Sequence, residues 1–321
     1  MRLDFRSRAK VESKPPVQFS PWFLRMFLLI AGLCLLLFFL FTLFSGPSAQ
    51  HPYGVFLFSK LDSGKPQTQV RFVWIDEQKR QVSLVSLPDD LEYISSTVGT
   101  YPLSSVYAAR SQSAMSDTDF IRDISFFFRI PVSGFIHTTR SVSGKLDILS
   151  GLTSFCLVPQ SRSLSFSECL HLVFFTVHPQ TALTKISLPD TVFAGIDSSG
   201  MHPLARDAYT QWRKRNLPYQ LEGAAKTSIA VINVSGRSGA AGRVSSLFDD
   251  FGLHTLMVSD SKDKQDQGSI YVAAGKKDEE VVRFIADLLH LPVTENSDKT
   301  KESRADIVVV IGEKEAKAFT P

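Results

Sequence analysis

The run Ile229-Ala230-Val231-Ile232-Asn233-Val234-Ser235-Gly236-Arg237-Ser238-Gly239 decides the fold of the C-terminal part of this 321-residue chain. Its first four residues are apolar, which predicts a strand, and the glycines and serines that follow predict a turn. Apolar residues then recur at helical spacing from Ala240 to Phe251, and Gly252 is suited to end that helix. The run therefore begins a strand–turn–helix unit.

Further strands and a second helix follow in the same part of the chain. His254–Val258 and Ser269–Ala273 are predicted strands, Asp278–Leu289 is a predicted helix, and Asp306–Gly312 is a predicted buried strand. The order βαββαβ is typical of two split βαβ units on one mixed sheet. We expect Ile229–Asn233 and the last strand to be central, because they are the most continuously apolar.

This second domain, residues 226–315, resembles the LytR C-terminal domain of bacterial cell-envelope proteins. The resemblance rests on the strand that ends at Asn233, the small-residue turn and the helix that ends at Phe251-Gly252. Leu289-His290-Leu291-Pro292 and Ala305–Gly312 also fit the pattern of that family. The resemblance implies a place in the cell envelope.

Residues 70–202 are predicted to form a separate mixed-sheet α/β domain, so that the fold class is α/β (α+β). A hairpin is predicted from Val70–Asp76 and Gln81–Leu87. Further elements are expected downstream: helices at Ser104–Ser111, Asp117–Phe128 and Ser167–Phe175, and a strand at Val132–His137. Residues 45–69 and 203–225 are predicted linkers, the first leading into a candidate strand at Tyr53–Phe58.

This first domain resembles the catalytic domain of the LytR–CpsA–Psr family. Ser86-Leu87-Pro88-Asp89-Asp90 is similar to the family's Ser-Ile-Pro-Arg-Asp, and Asp90 matches its final acid. The resemblance implies transfer of glycopolymers from a polyprenyl-pyrophosphate carrier to peptidoglycan, assisted by Mg²⁺.

The departures from that family point to a degenerate site made of Asp89 and Asp90. Asp89 replaces the arginine that would pair with pyrophosphate, and a carboxylate repels a phosphate. The family's metal-binding acid would fall within Pro66–Gln69, where no acid occurs, and its arginine-rich stretch has no counterpart. We therefore predict no catalytic residues, no metal site and no cofactor.

The predicted function is non-catalytic binding or scaffolding at the cell wall, with peptidoglycan or a wall polymer as the partner. One alternative is a divergent glycopolymer phosphotransferase, which would need Mg²⁺. The other is a protein-interaction module that binds a partner, of unknown identity, through a sheet edge.

A transmembrane helix is predicted over residues 23–44, because no charged residue occurs between Met26 and Phe44. Residues 1–22 are rich in Arg and Lys, which predicts a cytoplasmic tail and places the chain after about residue 45 outside the membrane. The alternative is a cleaved signal peptide with Pro47-Ser48-Ala49 near its cleavage site, but the apolar run is long for one.

The remaining polar features are weaker signals. The net charge of +3, without a dense basic block, argues against nucleic-acid binding. Ser235-Gly236-Arg237-Ser238-Gly239 is a candidate anion-binding turn, although a structural turn is favoured. Arg213-Lys214-Arg215 is interpreted as a solvated linker face. Cys156 and Cys169 form either a disulfide or two buried thiols, and we favour the thiols.

Overall fold

The computed structural model describes residues 26, 29–33, 35, 52–60, 68–95, 98–113, 115–138, 163–219, 221 and 223–319. The predicted tail (1–22), most of the predicted span (23–44) and the start of the first predicted linker lie outside these residues. Among the residues described, no helix combines the length and the apolarity needed to cross a bilayer. Membrane topology therefore stays a prediction. Residues Gly46–Pro321 form one compact unit.

The first domain is built on a five-stranded sheet in the order β6-β1-β2-β3-β7. Its strands are β1 (Tyr53–Lys60), β2 (Thr68–Asp76), β3 (Gln81–Ser86), β6 (Val132–Thr138) and β7 (Ala182–Ser187), and a small separate hairpin joins β4 (Glu92–Ser95) to β5 (Gly99–Pro102). Strand β2 runs antiparallel to both neighbours, whereas β6 pairs in parallel with β1 and β7 with β3. The carboxyl ends of β6, β1, β3 and β7 therefore meet at one edge of the sheet, which we call the carboxyl edge.

Helices cover both faces of this sheet. They are α1 (Val106–Gln112), α2 (Asp117–Phe128), α3 (Phe166–Val177) and α4 (Arg206–Asn216). Aromatic side chains of β1 and β2 pack against α2 and α4 on one face, while Leu172 and Val173 of α3 pack on the other. The side chains of Ser116 and Ser165 cap the amino ends of α2 and α3, satisfying backbone N–H groups that the helices leave open. The first domain is thus a three-layer α/β/α structure.

The predicted hairpin, α2, β6 and α3 are confirmed, as is the candidate strand Tyr53–Phe58, which is part of β1, whereas helix α4 lies within the second predicted linker. Strand β1 lies between β6 and β2, with Val55 and Phe56 fully buried. Helix α4 places Tyr209 and Trp212 in the core of the first domain. The two aromatic residues of α4 stand among charged neighbours, so the mean polarity of the segment concealed its buried side.

The second domain is a five-stranded sheet in the order β11-β10-β12-β8-β9. Its elements are β8 (Ser228–Asn233), α5 (Ala240–Asp249), β9 (His254–Asp260), β10 (Ser269–Val272), α6 (Glu280–Leu289), β11 (Val293–Glu295), α7 (Ser297–Ser303), β12 (Ile307–Ile311) and α8 (Glu313–Phe319). Strand β12 is central, parallel to β8 and antiparallel to β10. The expectation that β8 and β12 are central is confirmed. Helices α5, α6 and α8 bury one face of the sheet.

The two domains pack against each other within the compact unit. Arg122 of α2 donates from Nε to the Leu289 carbonyl oxygen at 3.0 Å, and its Nη2 lies 3.7 Å from Glu315 Oε1. The rings of Phe126 and Phe319 lie 4.8 Å apart between centroids. Both charged and apolar groups thus join the first domain to the second.

Two predictions about single residues are corrected. Cys169 is disulfide-bonded and fully buried on α3, so the favoured assignment of a free thiol was wrong for this residue. Cys156 lies outside the described residues. Arg213 is buried, and its Nη2 donates to the Asp250 carbonyl oxygen at 3.2 Å, whereas Lys214 and Arg215 are exposed as predicted. Packing of the second domain against α4 is what removes Arg213 from solvent.

Candidate functional site

The predicted acids Asp89 and Asp90 lie in the turn that follows β3 at the carboxyl edge. The backbone of this turn is held on both sides. Ser104 N donates to the Asp89 carbonyl oxygen at 3.0 Å, and His202 N donates to that of Asp90 at 3.0 Å. In open α/β sheets, the carboxyl ends of strands are where ligands bind. The turn is therefore placed where a site of this fold is expected.

The electrostatics of the turn are acidic. Partial burial raises the pKa of Asp89, the neighbouring carboxylate of Asp90 raises it further, and the charge of Arg71 acts in the opposite direction. Asp90 is exposed, and its Oδ2 lies 3.4 Å from His202 Nε2. Two adjacent carboxylates with one raised pKa disfavour the approach of a further negative group.

Arg71 is a residue of this region that the sequence interpretation missed. It lies in β2, pairs with Leu57 of β1 and Ser86 of β3, and is buried. Ser59 and Thr138 are further buried polar residues near the same edge. The signal that would have identified Arg71 is a charged residue in an otherwise apolar strand, since such a residue is rarely buried without a partner group.

A cationic and aromatic cluster lies beside the carboxyl end of β6. The Arg110 guanidinium lies 4.7 Å from the ring centroid of Phe135 and forms an ion pair with Asp117. The rings of Tyr107 and His137 stack with centroids 4.3 Å apart. Burial lowers the pKa of both Arg110 and His137. This side of the sheet therefore holds a largely buried cation packed among aromatic rings.

The candidate anion-binding turn, residues 235–239, follows β8 in the second domain. Its polar groups bond to one another: Ser235 N donates to Asn233 Oδ1 at 3.1 Å, and Arg237 N donates to Ser235 Oγ at 3.0 Å. Asn233 Nδ2 donates to the Arg237 carbonyl oxygen at 2.8 Å. Gly236 and Gly239 adopt φ of +75° and +81°, which glycine reaches without strain. These bonds show how the turn holds its shape, while anion binding by Ser235–Gly239 stays a prediction.

The two predicted sites belong to different sheets, and no hydrogen bond or ion pair within the described ranges connects them. Nor does the described part of the chain contain a group of three or more His, Cys, Asp or Glu side chains that could hold a metal ion. Asp89 and Asp90 therefore stand as an acidic pair.

Comparison with known families decides the identity of the second domain. Residues 226–314 match the family described as LytR cell envelope-related transcriptional attenuator. They form a LytR C-terminal domain. The resemblance carried by the Asn233 turn and by the apolar strands is confirmed. No curated protein matches the chain.

Several solved structures are similar to part of this chain. The Bacillus subtilis LytR-CPS2A-psr family protein YwtF (TagT), with bound octaprenyl pyrophosphate lipid, is 10% identical, with a TM-score of 0.36, over 53% of this chain and 91% of that one. The transcriptional regulator yvhJ from Bacillus subtilis is 9% identical, with a TM-score of 0.36, over 52% and 95%. A transcriptional regulator from Enterococcus faecalis is 13% identical, with a TM-score of 0.34, over 64% and 89%.

Proposed function

We propose that this chain is a cell-envelope protein, held by one N-terminal span, that binds peptidoglycan or a wall polymer and does not transfer glycopolymers. The LytR C-terminal domain at residues 226–314 supports the place in the envelope, because that family is described as cell envelope-related. The long uncharged segment between Met26 and Phe44 supports the anchor.

The observation that carries the non-catalytic part of the proposal is the acidic pair after β3. An enzyme that cleaves a pyrophosphate must stabilise added negative charge with cations and fixed donors. Here Asp89 and Asp90 stand side by side: the charge of Asp90 adds to burial in raising the pKa of Asp89, and both carboxylates repel an approaching anion. The Arg71 guanidinium offsets only part of this charge.

The oxidation state of Cys169 supports a location outside the cytoplasm. Cys169 is disulfide-bonded. Disulfides persist in oxidising compartments and are rare in the reducing cytoplasm. This agrees with the orientation expected from the basic residues before the apolar segment.

A sedimentation assay with purified peptidoglycan tests the binding role. The full-length chain in detergent should co-sediment with peptidoglycan sacculi and remain in solution without them. Sacculi stripped of attached polymers by acid then show whether the glycan or the polymer is bound. If the chain stays in solution with both preparations and is captured only by membrane proteins, the interaction-module alternative is the better description.

A further inference from the structure

A cavity lies at the junction of the two domains, and neither Asp89 nor Asp90 contributes to its lining. It has a volume of about 270 Å³. Residues of α2, of the amino end of α4 and of α5 contribute to its walls, among them Asp123, Phe126, Phe127, Arg129, Arg206 and Arg243. Three guanidinium groups therefore meet around one small volume.

Within the described part of the chain, each of these guanidinium groups has one protein acceptor. Arg206 Nη1 donates to the Phe127 carbonyl oxygen, and Arg243 Nη1 donates to that of Phe319 at 2.9 Å. Arg129 forms an ion pair with Asp250. Each of these contacts uses one guanidinium nitrogen, and a guanidinium carries five N–H donors, so a ligand in the cavity can compete for further donors of the three arginines.

The charges around the cavity are not balanced. Three arginines and one carboxylate, that of Asp123, line the cavity, and Asp250 pairs with Arg129, which leaves an excess of one positive charge. The nearby charge of Arg129 adds to burial in lowering the pKa of Arg206. Like charges held this close destabilise one another, and an anion between them would remove that cost.

We propose that this cavity binds a phosphate ester of a sugar or polyol. Guanidinium groups form paired hydrogen bonds with phosphate oxygens. The apolar surfaces of Phe126 and Phe127 can cover the carbon skeleton of the attached group. Asp123, whose Oδ2 accepts the Tyr93 hydroxyl at 2.7 Å, supplies an acceptor for a ligand hydroxyl. The cavity volume lies just below the roughly 300 Å³ at which pockets for drug-sized ligands begin, so one phosphate group and one sugar or polyol unit fit.

This ligand chemistry has two sources, a soluble sugar phosphate or the repeating unit of a phosphate-containing wall polymer. The second source rests on the proposed function. The probes are glucose 1-phosphate, a glycerol phosphate oligomer and uncharged glucose, each titrated calorimetrically into the full-length chain in detergent. If the glycerol phosphate oligomer binds more tightly than glucose 1-phosphate, the ligand of the cavity is the wall polymer. If only glucose 1-phosphate binds, the ligand is the soluble ester.

The arginines are tested with a matched control. Arg206 and Arg243 are exposed enough to be replaced without opening the core, and Arg215 is an exposed arginine on the same helix as Arg206. The double variant R206Q/R243Q should bind glucose 1-phosphate at least tenfold more weakly, R215Q should bind it like the parent, and glucose should not bind. All variants should melt within a few degrees of the parent.

Equal binding by the parent and R206Q/R243Q, or an equal loss in R215Q, would overturn the proposed site. Sedimentation with peptidoglycan, measured on the same protein preparations, tests the proposed wall-binding function independently of the cavity. Retention on sacculi without binding of either glucose 1-phosphate or the glycerol phosphate oligomer overturns the cavity alone. Binding of glucose 1-phosphate that depends on Arg206 and Arg243, without retention on sacculi, supports the cavity and overturns the wall role alone.

Discussion

At the scale of single residues, Asp123 gives the clearest dependence of stability on pH. Burial raises the pKa of its carboxyl to about 6, with hydrogen bonds from Ser95 and Tyr93 acting against the rise and the charge of Asp119 adding to it. Because the pKa is higher in the folded state, the contribution of this carboxyl to the free energy of unfolding is fully present below the unfolded pKa near 4 and is lost as pH rises through 6. The loss is about 3 kcal/mol.

The comparison of Asp123→Asn with the parent measures this effect, because the contributions of the other titrating groups to the free energy of unfolding are the same in both proteins and cancel. Denaturant unfolding between pH 4 and pH 8 should show the parent losing free energy of unfolding relative to the variant as pH rises. Asp298→Asn, which alters an exposed acid on α7, is the control and should follow the parent. A difference between parent and Asp123→Asn that is constant with pH would show that the carboxyl titrates normally.

The local sequence identifies some of the functional and buried polar residues and gives no signal for others. The acids after β3 are recognisable because a turn that follows an apolar strand exposes its side chains. Arg213 is not, because the Phe251 ring that lies 4.4 Å from its guanidinium belongs to the other domain. The cavity lined by Arg129, Arg206 and Arg243 cannot be predicted from the local sequence for the same reason, since these residues come from three segments that meet only in the folded structure.

At the scale of secondary structure, β12 is the strand on which the second domain depends most. Val309 is fully buried between the sheet and its helices, so Val309→Asp should unfold the domain, because an unpaired buried charge costs several kcal/mol. Leu256→Asp introduces the same charge on the edge strand β9, at a residue that is 62% exposed, and should be tolerated. Thermal melting followed by circular dichroism distinguishes them. Equal melting temperatures of the two variants would show that β12 does not belong to the core.

Sequence patterns located the helices with a clear apolar period and missed several short elements. The helices α2, α5 and α6 carry apolar residues at helical spacing over ten residues or more, which a local pattern reveals. Strand β11 and helices α7 and α8 have three to seven residues each, too few for a period to emerge. Ile232 shows a second limit: it lies in a central strand, yet it is only partly buried, since it packs on the sheet face away from α5 and α6.

At the scale of the whole molecule, the proposed topology predicts which parts a protease can reach. Protease added outside spheroplasts should degrade the chain after about residue 50 and leave the basic tail attached to the membrane, because basic flanks stay in the cytoplasm. Antibodies against each end of the chain follow the two products on a blot. Lysed spheroplasts are the control, in which the tail should also disappear. Protection of the C-terminal domains in intact spheroplasts would reverse the orientation.

The most direct test of the central claim is an assay of glycopolymer transfer. The full-length chain is incubated with Mg²⁺, peptidoglycan and a radiolabelled polyprenyl-pyrophosphate-linked glycopolymer, and the label attached to peptidoglycan is counted. We expect the parent, Asp90→Ala and a reaction without protein to give the same background, because the adjacent carboxylates of Asp89 and Asp90 disfavour the binding of a pyrophosphate at this turn. Turnover by the parent that Asp90→Ala abolishes would instead establish a divergent transferase.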